Sequence, residues 1–518
     1  MPNVTHKFIS VYSKAQSNSV SNSNLNLFLG SNYASPDFTT GVDAESNNTF
    51  SESTGQITIG TGGQYHAFIS LNCDGTGGIT YQCTIQILVN SVEVYGSSFT
   101  TDFNTYSGGG ERTFSTILQL SDNDLVEVIV NTNDEFVSIF NKPGTTFSLV
   151  SMDSAYGINT RTDNQDKNAT EHNPFQSGTY SQSYSSAFSS MSGGIGYTDI
   201  GWQSTYGNSP TFVVASYQPI IADDQEIVYK LYKNTSSISQ YSAYSFSGEI
   251  GYERTVPAII TLSTSPTYDY VKPTMNASVG DGAYINSGSS FSLDRIRESA
   301  YTSMTFNNTS NTISTNGNYL SLLDQGSYAS FSRTDLATPA DISYSSSPGE
   351  LTINTSGYYL VAYTMILSSS ISDTTITNSI RKNSTTNADG DLVYQTTYKI
   401  PREGGSAERT LFGVFQFNQN DSVQFWTTKD SGGSIRQVYS ILSAFLVDEG
   451  AGGGGGGGGF GEGTGLPLFN SQNIINTYSK SNQHQRYVEQ IPFAIQVPGP
   501  LSLRERTQNV IINGKKSN

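Results

Sequence analysis

The tripeptide Glu-Arg-Thr occurs three times in the chain and each time opens the same alternation of apolar residues. The three copies are Glu111–Thr113, Glu253–Thr255 and Glu408–Thr410. An apolar residue stands seven positions past each threonine: Leu120, Leu262 and Phe417. Similarity at a fixed offset is the signature of an internal repeat. The sequence therefore predicts one β-rich module that is present three times in tandem.

The first and third copies of the predicted module match over most of their length. Ile57–Ile59 corresponds to Leu351–Ile353, and Ser121–Val126 after the Glu-Arg-Thr strand corresponds to Asn418–Val423. The second copy matches less well, because the turn that follows its Glu-Arg-Thr strand is longer and carries Pro266. We therefore expect two regular modules and one divergent module.

The strand that follows each Glu-Arg-Thr has a period of two, as a half-buried β-strand requires. The first, third, fifth and seventh positions past the threonine are mostly apolar and are expected to face the core. The third is always small (Thr116, Ala258, Gly413), which predicts a tight contact from the facing sheet. The fourth position points to the other face yet is always aliphatic. That side chain is covered either by a long loop or by another module, and the residues concerned are Ile117, Ile259 and Val414.

The charged residues of the tripeptide have two readings. Either these residues begin a strand and their charges are solvated or pair with each other, or they form buried ion pairs at a contact between modules. With the fourth-position residues, they complete the predicted module interface. They are Glu111, Arg112, Glu253, Arg254, Glu408 and Arg409.

Composition narrows the class of protein. Charged residues are 13% of the 518, about half the share in an average soluble domain. Ser, Thr, Asn, Gly and 32 Tyr replace them, and no long stretch has apolar residues at helical spacing. The chain is therefore predicted to be all-β. The formal charge of −17 argues against binding nucleic acid, which needs Lys and Arg to displace counterions from the phosphates.

The predicted domains follow from the repeat and from one glycine run. Eight consecutive glycines, Gly452–Gly459, have no side chains to bury and are typical of a tether. The segment behind them is mildly basic and too short for a core, so we expect it to lie along a partner. The predicted order is module 1 (1–152), module 2 (153–298, divergent), module 3 (299–449), poly-Gly linker (450–465) and extended C-terminal arm (466–518).

No catalytic or metal-binding motif stands out. The four histidines (His6, His66, His172, His484) are far apart in the sequence, without a Cys or carboxylate at ligand spacing, and no Gly-x-Ser-x-Gly elbow occurs. We expect a protein that is not an enzyme and binds no cofactor or metal; a β-sandwich hydrolase is the weaker alternative. The start of the sequence lacks the pattern of a secretion signal, and no apolar run could span a bilayer. Cys73 and Cys83 either stay free thiols or pair across a hairpin.

The third predicted module resembles the C1q/TNF-type jelly roll. The matching segments are Gly357–Val361, Ile380–Asn383, Asn420–Phe425 and a closing apolar strand that ends at Val447. Where the family has Gly-Asp in the turn before the Val-containing strand, this chain has Asn-Asp. The resemblance implies two packed antiparallel sheets in each module and association in threes. The threefold would be either an intrachain pseudo-trimer or a homotrimer with stacked tiers.

A β-rich, weakly charged chain with tandem jelly rolls and a poly-Gly tether is also similar in style to minor capsid proteins of large icosahedral DNA viruses. That resemblance implies a structural virion protein, assembled in the host cytoplasm, which binds neighbouring capsid proteins such as the major capsid protein. The alternative is a receptor- or glycan-binding viral fibre or adhesin, because Tyr-rich stretches such as Tyr180–Tyr184 suit sugar stacking.

Overall fold

The computed structural model describes residues 6–449 with interruptions. The predicted linker and arm lie outside the described residues. Gaps of five residues or more are 105–109, 133–137, 168–179, 192–200, 246–253, 264–268, 278–282, 314–318, 336–341, 385–389 and 401–405.

The described chain is almost entirely β-strand, with one 310 helix at Gly30–Asn32, so the all-β prediction is confirmed. Thirteen strands lie between residues 8 and 151 and form a first sandwich: β1 (Phe8–Ser13), β2 (Val20–Ser21), β3 (Leu25–Asn26), β4 (Phe38–Val42), β5 (Thr49–Ser51), β6 (Gln56–Thr58), β7 (Gly63–Gly75), β8 (Thr80–Val89), β9 (Val92–Asn104), β10 (Gly110–Leu120), β11 (Leu125–Thr132), β12 (Ser138–Asn141) and β13 (Thr146–Ser151).

The next thirteen strands, between residues 156 and 295, form the two five-stranded sheets of a second sandwich and a separate three-stranded sheet. They are β14 (Tyr156–Arg161), β15 (Gln165–Lys167), β16 (Tyr180–Tyr184), β17 (Phe188–Met191), β18 (Gly201–Ser204), β19 (Ser209–Tyr217), β20 (Pro219–Ile221), β21 (Gln225–Lys233), β22 (Ser236–Ser245), β23 (Arg254–Leu262), β24 (Tyr270–Ala277), β25 (Ala283–Ile285) and β26 (Ser290–Arg295).

The last twelve strands, between residues 301 and 448, form a third sandwich. They are β27 (Tyr301–Thr309), β28 (Thr312–Ile313), β29 (Tyr319–Ser321), β30 (Tyr328–Asp335), β31 (Ile342–Ser345), β32 (Glu350–Ile353), β33 (Gly357–Ser369), β34 (Thr374–Lys382), β35 (Asp391–Ile400), β36 (Ser406–Phe417), β37 (Ser422–Lys429) and β38 (Ile435–Asp448).

The three sandwiches share one antiparallel strand order. The sheet that we call inner runs β4-β1-β13-β7-β10 in the first sandwich, β16-β14-β26-β19-β23 in the second and β30-β27-β38-β33-β36 in the third. The outer sheet runs β5-β6-β11-β8-β9, then β17-β18-β24-β21-β22, then β31-β32-β37-β34-β35. In this order each Glu-Arg-Thr strand (β10, β23, β36) lies at the edge of an inner sheet. The predicted domain limits themselves stay predictions.

Alternation along these edge strands divides their side chains between two environments. In β10, Phe114, Leu118 and Leu120 point between the two sheets and belong to the buried core of the first sandwich. The intervening Ser115 and Ile117 point away from that core, so the inner sheet is built to be covered on both faces. At the small third position, a Cβ on Gly413 would meet the ring of Phe415 on the same strand. The close neighbour at Gly413 is therefore a residue of the same strand, and the contact with the facing sheet stays a prediction.

Both cysteines lie in the core of the first sandwich and form no disulfide. The hairpin pairing considered from the sequence is wrong, because Cys73 is on β7 of the inner sheet and Cys83 on β8 of the outer sheet. Burial raises the pKa of the Cys73 thiol well above its ordinary value, so the reactive thiolate is disfavoured.

An asparagine in the left-handed conformation closes one end of each outer sheet. Asn234, at φ 57°, donates its backbone N–H to the Tyr270 carbonyl (2.8 Å), and its Oδ1 accepts from the Tyr270 N–H (3.0 Å). Its amide also donates to Asp269 (2.7 Å), which accepts from the Ser263 N–H (2.8 Å). The same four bonds join Asn90 with Asp124 and Asn383 with Asp421. We call this arrangement the Asn–Asp clasp.

The clasp in the second sandwich explains where that copy departs from the others in sequence. Asp124 and Asp421 stand eleven residues past the threonine of the tripeptide, whereas Asp269 stands fourteen residues past it. The turn of the second copy is therefore three residues longer in sequence. Asp269 at its end makes the same contacts as Asp124 and Asp421 in the other copies. Burial opposes the charge on Asp269, but hydrogen bonds from Lys233, Asn234 and Ser263 outweigh it and lower the pKa of the carboxyl.

The two functions of the clasp asparagine can be separated by substitution. Asn234→Gly keeps the left-handed backbone available and loses two side-chain hydrogen bonds, which should cost about 1–2 kcal/mol. Asn234→Ala loses the same bonds and also strains the backbone, at a further cost of about 1 kcal/mol. Hydrogen exchange of the β21 and β24 amides measures both. Equal protection in the two variants would contradict the backbone part of this account.

Candidate module interface

The inner sheets of the three sandwiches pack against one another in cyclic order. The Glu-Arg-Thr strand of the first sandwich, β10, contacts β19 and β26 of the second. In the second sandwich, β23 contacts β27, β33 and β38 of the third, and β36 of the third returns to β1, β7 and β13 of the first. Each edge strand therefore covers the inner sheet of the next sandwich around the ring.

The threonines of the three tripeptides meet where these strands begin. The Thr113 hydroxyl donates to the Thr255 hydroxyl at 3.3 Å. The Thr410 hydroxyl donates to the Thr255 carbonyl at 3.5 Å. Thr364 of β33 donates to the same carbonyl at 3.1 Å and lies 2.8 Å from the Thr410 hydroxyl. All four are buried, and we call them the threonine layer.

Hydroxyl side chains of the next sandwich also bind main-chain N–H and carbonyl groups on the free edge of the Glu-Arg-Thr strands. On β10, the Ser115 carbonyl accepts from Ser290 at 2.8 Å. On β23, the Ile259 N–H donates to Ser303 at 3.3 Å. An edge strand has main-chain groups with no neighbouring strand to bind, and these bonds satisfy some of them inside the protein.

The third seam has the same character. On β36, the Phe412 N–H donates to the Ser70 hydroxyl (2.8 Å), which in turn donates to the Thr410 carbonyl (3.3 Å). Thr146 of β13 donates to the Phe412 carbonyl. The seam between the third and first sandwiches is extended by Tyr394, which donates to the Gly144 carbonyl at 2.9 Å.

Farther along the strands an apolar cluster replaces the hydroxyls. Ring centroids lie 4.9 Å apart for Phe68 and Phe412, and 5.2 Å apart for Phe212 and Phe445. The cluster takes residues from all three sandwiches, each at most 6% exposed: Phe8, Phe68, Val150, Phe212, Val214, Ile259, Ile296, Tyr301, Tyr358, Leu360, Ala362, Phe412, Val414, Phe445 and Val447.

The structure places two of the three fourth-position residues in this cluster. Ile259 is 1% exposed and Val414 is 6% exposed, and both contact residues of other sandwiches there. Ile117 stands opposite His66 in the β10–β7 ladder, is only partly buried and does not belong to the cluster. The aliphatic fourth position thus has two environments in the protein.

The charged part of the tripeptide is only partly described. Arg112 is buried at 5% exposure, and the Arg409 guanidinium lies 4.1 Å from the ring centroid of Tyr398. The side chains of Glu111, Glu253, Arg254 and Glu408 lie outside the described residues. The ion-pair hypothesis therefore stays a prediction. Sequence reasoning overlooked the threonine, although its recurrence in all three tripeptides was the available signal.

His66 occupies the seam between the first and second sandwiches. It is 1% exposed, its Nε2 lies 3.1 Å from the Ser292 hydroxyl of β26, and its ring centroid is 4.1 Å from that of Phe68. Burial among these groups lowers the pKa of His66 to about 3. The imidazole is therefore neutral at physiological pH and acts as a packed polar residue.

The described residues hold no cluster of three or more His, Cys, Asp or Glu that could bind a metal ion. Within that same part of the chain, no helix has the length and hydropathy to cross a membrane.

Comparison with known proteins finds solved structures that are similar only at low scores. No family model matches the chain, and no curated protein matches it. Among solved structures, it is similar to Eiger TNF from S. frugiperda (12% identity, TM-score 0.22, 29% of this chain and 94% of that one). It is also similar to infectious bursal disease virus, Gx strain (9% identity, TM-score 0.18, 99% of this chain and 94% of that one). TM-scores this low carry no argument about fold or function.

The threonine layer can be tested at its central member. Thr255→Val keeps the shape of the side chain but leaves the Thr113 hydroxyl without its acceptor, which should lower the free energy of unfolding by about 1–3 kcal/mol. Thr40→Val, on an exposed part of β4, is the matched control and should change it by less than about 0.5 kcal/mol. Chemical denaturation measures both. Equal effects would show that the buried hydroxyls contribute nothing specific.

Acid stability should depend on His66. Above pH 6.5 the histidine is neutral in folded and unfolded chains, so it contributes no pH dependence. Below that pH the unfolded chain binds a proton that the folded protein excludes down to about pH 3. For each unit by which the pH is lowered in this range, the free energy of unfolding of the wild type should therefore fall by up to about 1.4 kcal/mol relative to that of His66→Gln. Parallel unfolding curves for wild type and variant between pH 7 and pH 4 would contradict this.

Proposed function

We propose that the chain is a non-enzymatic structural virion protein, a minor capsid component built as an intrachain pseudo-trimer. In this proposal the three jelly-roll modules use their inner sheets to hold one another. Their outer surfaces and the C-terminal arm bind neighbouring capsid proteins, of which the major capsid protein is the leading partner. Its place is the capsid, after assembly in the host cytoplasm.

The cyclic packing of β10, β23 and β36 is the observation that carries the proposal. In a ring of this kind, each sandwich places its edge strand on the inner sheet of the next sandwich, and its own inner sheet is covered by the edge strand of the previous one. Three sandwiches therefore bury one another's inner sheets. Copies of the chain then have no need to exchange these faces, which favours the intrachain pseudo-trimer over tiers shared by three chains.

The composition supports a docking role over chemistry. A chain with 13% charged residues and abundant Ser, Thr, Asn and Tyr offers hydroxyls, amides and phenols for polar contacts with other proteins. Its formal charge of −17 disfavours direct contact with a packaged genome and leaves protein partners as the natural ligands.

The molecular mass in solution tests the pseudo-trimer. At high salt, which weakens contacts between charged surfaces, we expect the mass of one chain, 55.9 kDa. A mass of three chains that persists at high salt would favour tiered homotrimers and contradict the proposal.

Incorporation into particles tests the virion role. A deletion of residues 456–518 leaves the compact unit of residues 1–455 and removes none of the described core residues. We expect this variant to fold but to be recovered in purified particles at a small fraction of the full-length level. Unchanged incorporation, or specific binding of the truncated protein to a glycan array, would favour the adhesin alternative.

A further inference from the structure

The three Asn–Asp clasps differ in the residue that precedes the asparagine. The residue before the clasp asparagine is Lys233 in the second sandwich, Lys382 in the third and Val89 in the first. These three residues are structurally equivalent, because each pairs in the outer sheet with the valine of the neighbouring strand: Val271, Val423 and Val126. The first clasp therefore lacks a cation at a position where the other two have one.

The lysine in the other clasps contacts the aspartate directly. The Lys233 ammonium lies 2.9 Å from Asp269, and the Lys382 ammonium lies 3.1 Å from Asp421. In the first clasp, Asp124 keeps its hydrogen bonds from Asn90 and the Ser121 N–H. The residue at the lysine position there is Val89, which is uncharged and packs against the core of the first sandwich. Asp124 is only partly buried, so a cation from outside can reach its carboxylate.

An exposed apolar side chain lies in the adjoining β8–β9 hairpin. Val92 is 67% exposed and stands directly opposite Val89 in the β8–β9 hairpin, so both point to the same face of the sheet. The first-clasp site, which we define as Val89, Val92 and Asp124, therefore combines an apolar surface with an anion. A basic and apolar peptide segment has the complementary chemistry.

The chain itself contains such a segment outside the described residues. Residues 466–518 hold six Lys or Arg and two Glu, a formal charge of +4 in a chain whose total is −17. Within them, Val510–Ile512 is followed closely by Lys515 and Lys516. A single stretch of seven residues thus supplies the apolar group and the cation that the first-clasp site is able to bind.

We propose that the first-clasp site binds residues 510–516 of a second copy of this chain. The ammonium of Lys515 or Lys516 takes the position beside Asp124 that lysines occupy in the other two clasps, and the apolar residues 510–512 cover Val92. The inference rests on the proposed function in one respect, namely that the C-terminal arm acts as a contact to neighbours. It specifies a partner for that arm.

Restoring the missing lysine tests the site in the full-length protein. Val89→Lys should supply an internal cation, as Lys233 and Lys382 do, and block the incoming one. Sedimentation velocity at low salt over a concentration series should show self-association for the wild type and an association constant reduced at least tenfold in Val89→Lys. The double variant Lys515→Glu/Lys516→Glu should show the same loss, and added salt should weaken association in the wild type.

Two matched controls remove the effect of net charge. Leu88→Lys adds the same charge on the opposite face of β8 and should associate within about twofold of the wild type, since adjacent strand residues point to opposite faces. Lys480→Glu/Arg486→Glu changes the charge of the arm equally, outside the proposed segment, and should also stay within that range. A thermal unfolding midpoint for Val89→Lys no lower than that of the wild type excludes misfolding.

Carbodiimide cross-linking identifies the partner. In a mixture of isotopically light and heavy chains, we expect Asp124 to cross-link to Lys515 or Lys516 of the other chain. Cross-links confined to one chain, or equal association of Val89→Lys and Leu88→Lys, would overturn the inference. A protein that sediments as one chain at every concentration would also overturn it and would leave the pseudo-trimer intact. Three-chain particles that resist salt and Val89→Lys would instead contradict the proposed function.

Discussion

The arrangement of the three sandwiches depends on how the free edge of each Glu-Arg-Thr strand is satisfied. An edge strand presents main-chain donors and acceptors that must bind water, another strand or side chains. Here β10, β23 and β36 bind serine and threonine hydroxyls of the next sandwich, among them Ser290, Ser303 and Ser70. Because a hydroxyl both donates and accepts, one short side chain can serve an N–H and a carbonyl of the same edge. The Ser70 hydroxyl does so at Phe412 and Thr410.

Two regions along the strands stabilise the seams in different ways. At the threonine layer, directional hydrogen bonds fix how the strands meet, since a buried hydroxyl without a partner is costly. Farther along, burial of Phe68, Phe212 and Phe412 against the other sandwiches supplies the larger, non-directional stabilisation. The histidine at the first–second seam, His66, is held neutral because burial lowers its pKa.

Because the inner sheets of the ring pack against one another, the outer sheets and the clasps are left for other contacts. The clasp ends are regular in their backbone, as the recurring bonds of Asn90, Asn234 and Asn383 show, but they differ in surface chemistry. Lys233 and Lys382 balance their aspartates internally, whereas the first clasp has Val89. Similar units with different surface chemistry are compatible with the structural role proposed for this chain.

The sequence alone determined the all-β fold and the alternation of the edge strands, because side-chain direction in a strand depends only on a period of two. It also indicated that the outward aliphatic positions needed cover; in the structure Ile259 and Val414 are buried and Ile117 is partly buried. Only the tertiary structure decided which surface covers them, because the cyclic order of sheets depends on contacts between residues more than a hundred positions apart, such as Thr113 and Thr255. It likewise decided that Asp269 completes a clasp and that two cysteines near a common turn belong to different sheets. Spacing along a chain does not determine which strands become neighbours when loops of different length return them to the sheet.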